Sequence, residues 1–144
     1  MKNLFVSYDI AKLLKDIQFD VSCIARYTKD SEQNIFYLSA SELSFDLVSS
    51  KLLYGKLLNY NAGFYDEEGT ISAPLYQQVI DWFRDKHNIE ILICDEGENE
   101  LGVEYSYYLN SLNNHKTIKT EICEDNYYEA LDKAIKETIK LKQQ

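Results

Sequence analysis

Between Ile71 and Cys94 the apolar residues first recur at helical spacing and then, past Asn88, alternate at strand spacing. That switch constrains the fold more than any other feature, because it sets a helix directly against the start of a strand. Leu75, Val79, Trp82 and Phe83 lie on one helical face, which Tyr76 and Ile80 widen. Gln77, Gln78, Asp81, Arg84 and Asp85 fall mainly on the other side. Ser72 is expected to cap the helix by accepting from a first-turn amide. Pro74, the only proline, fits that first turn because the amides there have no intrahelical acceptor. Lys86 and His87 suit the carbonyl end of the helix, and Asn88 can take the left-handed conformation that stops it. Each distinctive residue of the segment thus has a structural task. The expected place of Trp82 and His87 is in packing, not in reaction chemistry.

The strand that follows, Ile89–Cys94, sets Ile89, Ile91 and Ile93 on one face, with Leu92 and Cys94 on the other. Asp95–Glu100 reads as an exposed turn. Val103, Tyr105, Tyr107 and Leu109 then alternate with Glu104, Ser106, Tyr108 and Asn110, as in a half-buried strand. A turn at Asn113–Lys116 leads to a third strand, Thr117–Cys123, with Ile118, Thr120 and Ile122 on one face. Short turns between successive strands imply an antiparallel three-stranded meander. The closing helix starts at Glu124 or Asp125, with Asp125 as its expected cap. Tyr127, Tyr128, Leu131, Ala134, Ile135, Thr138 and Ile139 form its stripe.

Earlier in the chain, Ser7 is placed to cap a helix over Ser7–Gln18, buried through Ile10, Leu13, Leu14 and Ile17. Val21–Tyr27 and Ile35–Leu38 read as a hairpin around the polar stretch Thr28–Asn34. The stretch 39–70 reads as an irregular excursion. It includes a short helix covering Leu47, Val48, Leu52 and Leu53, capped by Ser41 or Ser44. The expected fold class is α+β, in one domain over residues 1–144. It combines an antiparallel sheet, made of the C-terminal meander plus the N-terminal hairpin, with three to four helices packed on one face.

A chain of 144 residues can bury about 70% of its unfolded surface, enough for a core without staples. The net charge of −9 disfavours phosphate-backbone and anionic-membrane partners, which require clustered Lys and Arg. The three cysteines, Cys23, Cys94 and Cys123, form no C-x-x-C pair and sit in apolar runs, as buried small hydrophobes do. Their odd number, and an N-terminus too soon polar for a secretory h-region, lead to an expectation of the cytoplasm. No apolar run approaches the roughly 18 residues of a membrane span.

No motif carries recognisable chemistry. Asp95–Glu100 and Asp66–Gly69 lack the ligand spacing of a calcium loop. His87 and His115 have no H-x-x-x-H partner, and no glycine pair has the context of a phosphate loop. No catalytic, cofactor-binding or metal-binding residue is therefore assigned, and no cofactor is expected. Most of the twelve tyrosines suit strands and helix faces. Tyr108 differs, because its face opposes the core. With Leu92 and Glu104 it forms the expected partner surface, amphipathic and tyrosine-bearing as protein interfaces often are.

The segments I-S-A-P-L-Y-Q-Q-V-I-D-W-F-R-D-K-H-N-I (71–89), E-D-N-Y-Y-E-A-L-D-K-A-I-K-E-T-I-K-L (124–141) and S-Y-D-I-A-K-L-L-K-D-I-Q-F-D (7–20) resemble a family of small uncharacterised proteins of phages, prophages and mobile elements of gut anaerobes. The resemblance implies a phage or prophage accessory protein in a bacterial cytoplasm, and it brings no site residues. The expected function is non-enzymatic protein binding, with a host or phage protein as partner. The alternatives are a nucleotide-sequestering anti-defence protein, with a pocket lined from Tyr54 to Tyr65, and an acidic nucleic-acid mimic. A hydrolase comes last.

Overall fold

The computed structural model describes residues 4–27, 35–37, 44–46, 51–53, 59, 61, 71–99, 102–123 and 126–143. The chain is α+β and divides into two compact units, Met1–Leu75 and Tyr76–Gln144.

In the first unit α1 (Tyr8–Asp16) begins as its sequence dictates, with Ser7 Oγ accepting from the Ile10 amide at 3.4 Å. It ends in paired bonds from Gln18 N–H to the Lys15 carbonyl and from Phe19 N–H to the Leu14 carbonyl, with Gln18 at φ +65°. This left-handed stop satisfies the last carbonyls and brings buried Phe19 back to buried Leu14. Ile10, Ala11 and Leu14 are the buried face; Leu13 and Ile17 are half-buried.

Five short strands belong to the described part of this unit. β1 (Ala25–Tyr27) pairs antiparallel with β2 (Ile35–Tyr37), the expected hairpin, although the strand opens at Ala25 and not at Val21. The turn expected at 28–34 lies outside the described residues. The hydroxyl of Tyr27 donates to the Val6 carbonyl at 2.5 Å, and its ring meets Tyr8 edge-on. In the stretch 39–70 the helix expected over 47–53 gives way to β3 (Ser44–Asp46) paired antiparallel with β4 (Lys51–Leu53). Leu52 and Leu53 thus belong to a strand, and Ser44 is no cap; Ser41, Leu47 and Val48 lie outside the described residues. Runs this short nucleate helix poorly, and cross-strand bonds satisfy backbone groups that a one-turn helix leaves unpaired.

Ser72 is the clearest departure. It caps no helix: Ile71–Ser72 is β5, which pairs with β1 through Arg26↔Ser72 and Tyr27↔Ile71. Pro74 disfavours helical backbone at Ala73, so the chain stays extended there. Ala73 N–H reaches the Ala25 carbonyl at 3.0 Å, and the Pro74 carbonyl accepts from Val6 at 3.1 Å. Asn61 secures this corner. Its amide donates to the Phe19 carbonyl at 3.1 Å, and its oxygen accepts from Ser72 N–H at 3.0 Å.

In the second unit α2 (Tyr76–His87) buries Val79, Trp82 and Phe83 and stops at Asn88, whose φ is +54°. The His87 ring lies 4.4 Å from Trp82 and 5.8 Å from Phe83 between centroids, which places it in the aromatic packing of the helix end. β6 (Ile89–Asn99), β7 (Gly102–Ser111) and β8 (Lys116–Cys123) form the antiparallel meander in the order β6-β7-β8. The register aligns Ile91 with Leu109 and Lys119, and Ile93 with Tyr107 and Glu121. α3 (Tyr127–Gln143) contacts all three strands, and α2 contacts β6. Because Ile91, Tyr107 and Leu109 are buried while Leu92, Ile118 and Thr120 are exposed, the helices cover the former face.

Two further expectations change. Asn126, not Asp125, caps α3, its Oδ1 accepting from Glu129 N–H at 3.0 Å. Tyr127 and Tyr128 stay exposed; the buried stripe is Ala130, Leu131, Ala134, Ile135, Thr138 and Ile139. Thr138 fits this stripe because its hydroxyl donates to the Ala134 carbonyl at 2.8 Å.

Asn61→Ala removes both bonds at the Phe19–Ser72 corner. The expected loss is about 1–3 kcal/mol of stability. Urea unfolding checks this, and a change within about 0.5 kcal/mol contradicts it.

Candidate functional site on the outer sheet face

Alternation along β6 and β7 sends Leu92, Cys94, Glu104, Ser106 and Tyr108 to the face opposite the helices. The structure sets Leu92 directly across from Tyr108, and Tyr108 across from Thr120. Leu92 is 38% exposed, a large fraction for an apolar side chain at the middle of a strand. Glu104 shares the face, opposite Gly97 and four residues before Tyr108. The three expected surface residues therefore occupy one face, with Leu92 and Tyr108 as neighbours and Glu104 farther toward the hairpin end.

Asp95–Asn99, expected as a turn, continues β6 through a bulge. Asp95 pairs with Tyr105 and Gly97 with Glu104, which leaves Glu96 as the extra residue. Asp95 Oδ1 accepts from Gly97 N–H at 2.8 Å, and Gly97 sits at φ +102°, which a residue with a side chain rarely adopts. The bulge turns Glu96 onto the outer face. There its Oε1 accepts from the hydroxyls of Ser106 and, at 3.3 Å, of Tyr108. The carboxylate thus anchors the Tyr108 ring beside Leu92. Sequence reading missed Glu96, because a carboxylate inside an acidic run resembles a solvated turn. The signal was Asp95-x-Gly97, an aspartate two residues before a glycine between alternating strands.

The sequence charge of this hairpin is one-sided. Between Lys86 and Lys116 the chain carries no Lys or Arg and six carboxylates: Glu90, Asp95, Glu96, Glu98, Glu100 and Glu104. The hairpin that bears Leu92 and Tyr108 is therefore purely anionic.

A second group lies at the start of α3. Tyr105, Tyr127, Tyr128 and Tyr76 make a chain of ring contacts at 6.0, 5.5 and 5.8 Å. At its end the Tyr76 hydroxyl donates to Asp132 Oδ1 at 2.5 Å. Burial raises the Asp132 carboxyl above its ordinary range; the Tyr76 hydrogen bond and Lys136 act against that shift, and Glu129 reinforces it. On the same helix the Glu137 carboxyl is held below the usual range by Lys119 of β8 and by Lys140, each 2.6 Å away.

Of the cysteines, Cys23 is fully buried and burial pushes its thiol up to about 12, so it is a packing residue. Cys94 is half-exposed on the outer face, and the Cys123 side chain lies outside the described residues. Among the described residues no three His, Cys, Asp or Glu side chains come together to hold a metal ion, and no helix is long and apolar enough to cross a membrane. Of the stretch Tyr54–Tyr65, expected to line a pocket, only Asn59 and Asn61 are described, and Asn61 is bonded to backbone. No protein-family model, curated protein or solved structure matches the chain.

The raised Asp132 carboxyl holds its proton to a higher pH in the folded chain than in the unfolded one. Its contribution to stability is therefore full below the unfolded pKa and declines as the pH rises from there through the folded pKa. Asp132→Asn keeps an oxygen for Tyr76 and removes the titration. The variant should gain stability relative to the parent as the pH rises through and just above the carboxylate range. Denaturation midpoints across that range check this; a pH-independent difference contradicts it.

Proposed function

We propose that this chain is a non-enzymatic protein-binding module. Its outer sheet face, centred on Leu92 and Tyr108 with Glu96 and Glu104 beside them, docks a basic protein surface. The observation that carries the reading is an exposed Leu92 beside a half-buried Tyr108, on a hairpin whose sequence has six carboxylates and no Lys or Arg. An aromatic and an aliphatic side chain in a polar rim supply the desolvated centre of an interface. The surrounding carboxylates favour approach of a cationic partner and disfavour nucleic acid and anionic lipid. Glu96 supports the role by fixing Tyr108, which lowers the ordering cost on binding. The resemblance of residues 71–89 and 124–141 to mobile-element proteins directs the search for that partner to host or phage proteins of a bacterial cytoplasm.

The test is capture from a bacterial host lysate with the immobilised chain and with Leu92→Lys and Tyr108→Ala variants. A partner released by salt, and bound at least about 30-fold more weakly by Tyr108→Ala, supports the reading. Recovery of no protein at micromolar bait overturns it, as does a partner held equally by both variants.

A further inference from the structure

α3 opens with two tyrosines that the core does not take up. Tyr127 is 42% and Tyr128 39% exposed, so ring area stays in water at both positions. Neighbouring residues of a helix diverge by about 100° around its axis. The two rings stand at 89° to each other, with centroids 5.5 Å apart. Tyr105 of β7 meets Tyr127 at 84° and 6.0 Å. On the other side Tyr76, the first residue of α2, lies 5.8 Å from Tyr128 at 42°. Three elements thus contribute to the group, and its successive rings are set as walls and not as a stack.

The carboxylate at the end of this row is the second observation. Asp132 stands one turn after Tyr128 on the same face of α3, and it accepts from the Tyr76 hydroxyl at 2.5 Å. That bond holds the Tyr76 ring against Tyr128. Glu129, in the first turn of α3, adds a second acid beside Tyr128. The lysines of α3 follow farther along the helix, from Lys133 onward. The two acids therefore counter the positive end of the helix, and the charge at these rings favours a cation over an anion. We propose that the start of α3, with Tyr76, Tyr105, Tyr127 and Tyr128 as walls and Asp132 as counter-charge, binds a methylated ammonium group. The group belongs either to a free quaternary ammonium compound or to an Nε-methylated lysine side chain. Ring faces attract such cations through the ring quadrupole, within about 6 Å of the centroid. A quaternary ammonium donates no hydrogen bond, so ring faces and a nearby carboxylate are all the recognition it requires. Tyr105 alternates with Glu104 and Ser106, so the site lies on the helix side of the sheet, apart from the face of Leu92 and Tyr108. It goes beyond the partner-binding reading and stands without it.

The test is titration of the whole chain with choline and with an N-acetyl Nε-trimethyllysine amide, followed through the ring-proton resonances of these tyrosines. Both cations should shift the resonances saturably, in the millimolar range or tighter. The tert-butyl analogue of choline, equal in shape and uncharged, should bind at least about tenfold more weakly. The tighter of the two cations names the carrier of the ammonium group. Tyr127→Leu, at an exposed position, should keep the circular dichroism spectrum and lose at least about tenfold in affinity. Tyr127→Phe keeps a ring face and should bind as the parent does. Absence of saturable shifts with both cations overturns the proposal, as does equal binding of the neutral analogue, undiminished binding by Tyr127→Leu, or loss of binding in Tyr127→Phe.

Discussion

The second unit depends on the burial of one face of β7. Tyr107 and Leu109 are fully shielded there, flanked by Ile91 on β6 and covered by α3. A strand alternates its side chains between faces, so committing Tyr107 and Leu109 to the core obliges Ser106 and Tyr108 to point away from it. The register is tightly determined for the same reason: a slip of one residue would bury Tyr108 and Asn110 and expose Leu109. Tyr107 reaches this position without stranding its hydroxyl, which donates to Glu121 Oε2 at 3.0 Å. The candidate surface is thus a by-product of how the core is built.

The bulge at Glu96 adds what alternation alone does not provide. It inserts one residue into β6, at a glycine free to take positive φ, and turns a carboxylate over two outer-face hydroxyls. The outer face so gains a fixed aromatic ring next to an exposed leucine, on a hairpin whose formal charges are all negative. The helix-surface pair of Arg84 with Asp81, at 3.0 Å, is exposed and of small energetic weight.

Much of this architecture can be read from residues whose roles are local. Ser7 caps, Asn88 stops, and the isoleucines and tyrosines of 89–109 alternate as strands do. Ser72 was misread because a serine before an apolar helical stripe satisfies the cap pattern, while its alternative use, as a strand residue paired with Arg26, depends on a segment more than forty positions away. The restriction that Pro74 imposes on Ala73 was the local clue. The short runs 44–46 and 51–53 have no period long enough to separate strand from helix, and pairing decided them. Of the candidate surface, the shared face of Leu92, Glu104 and Tyr108 followed from alternation. Glu96 did not, because a bulge breaks the period on which that reasoning rests. Tyr127 and Tyr128 lie at the extreme start of α3, where helical spacing alone does not tell a buried position from an exposed one.

The central claim is that the helices close one face of the β6-β7-β8 sheet and leave Leu92 exposed and Tyr108 partly exposed on the other. Paramagnetic relaxation of side-chain protons by a soluble gadolinium chelate measures this directly. The account predicts strong relaxation for the Leu92 methyls and the Tyr108 ring, together with protection of Ile91, Tyr107 and Leu109 on the very same strands. Equal protection of Leu92 and Tyr108 would contradict it.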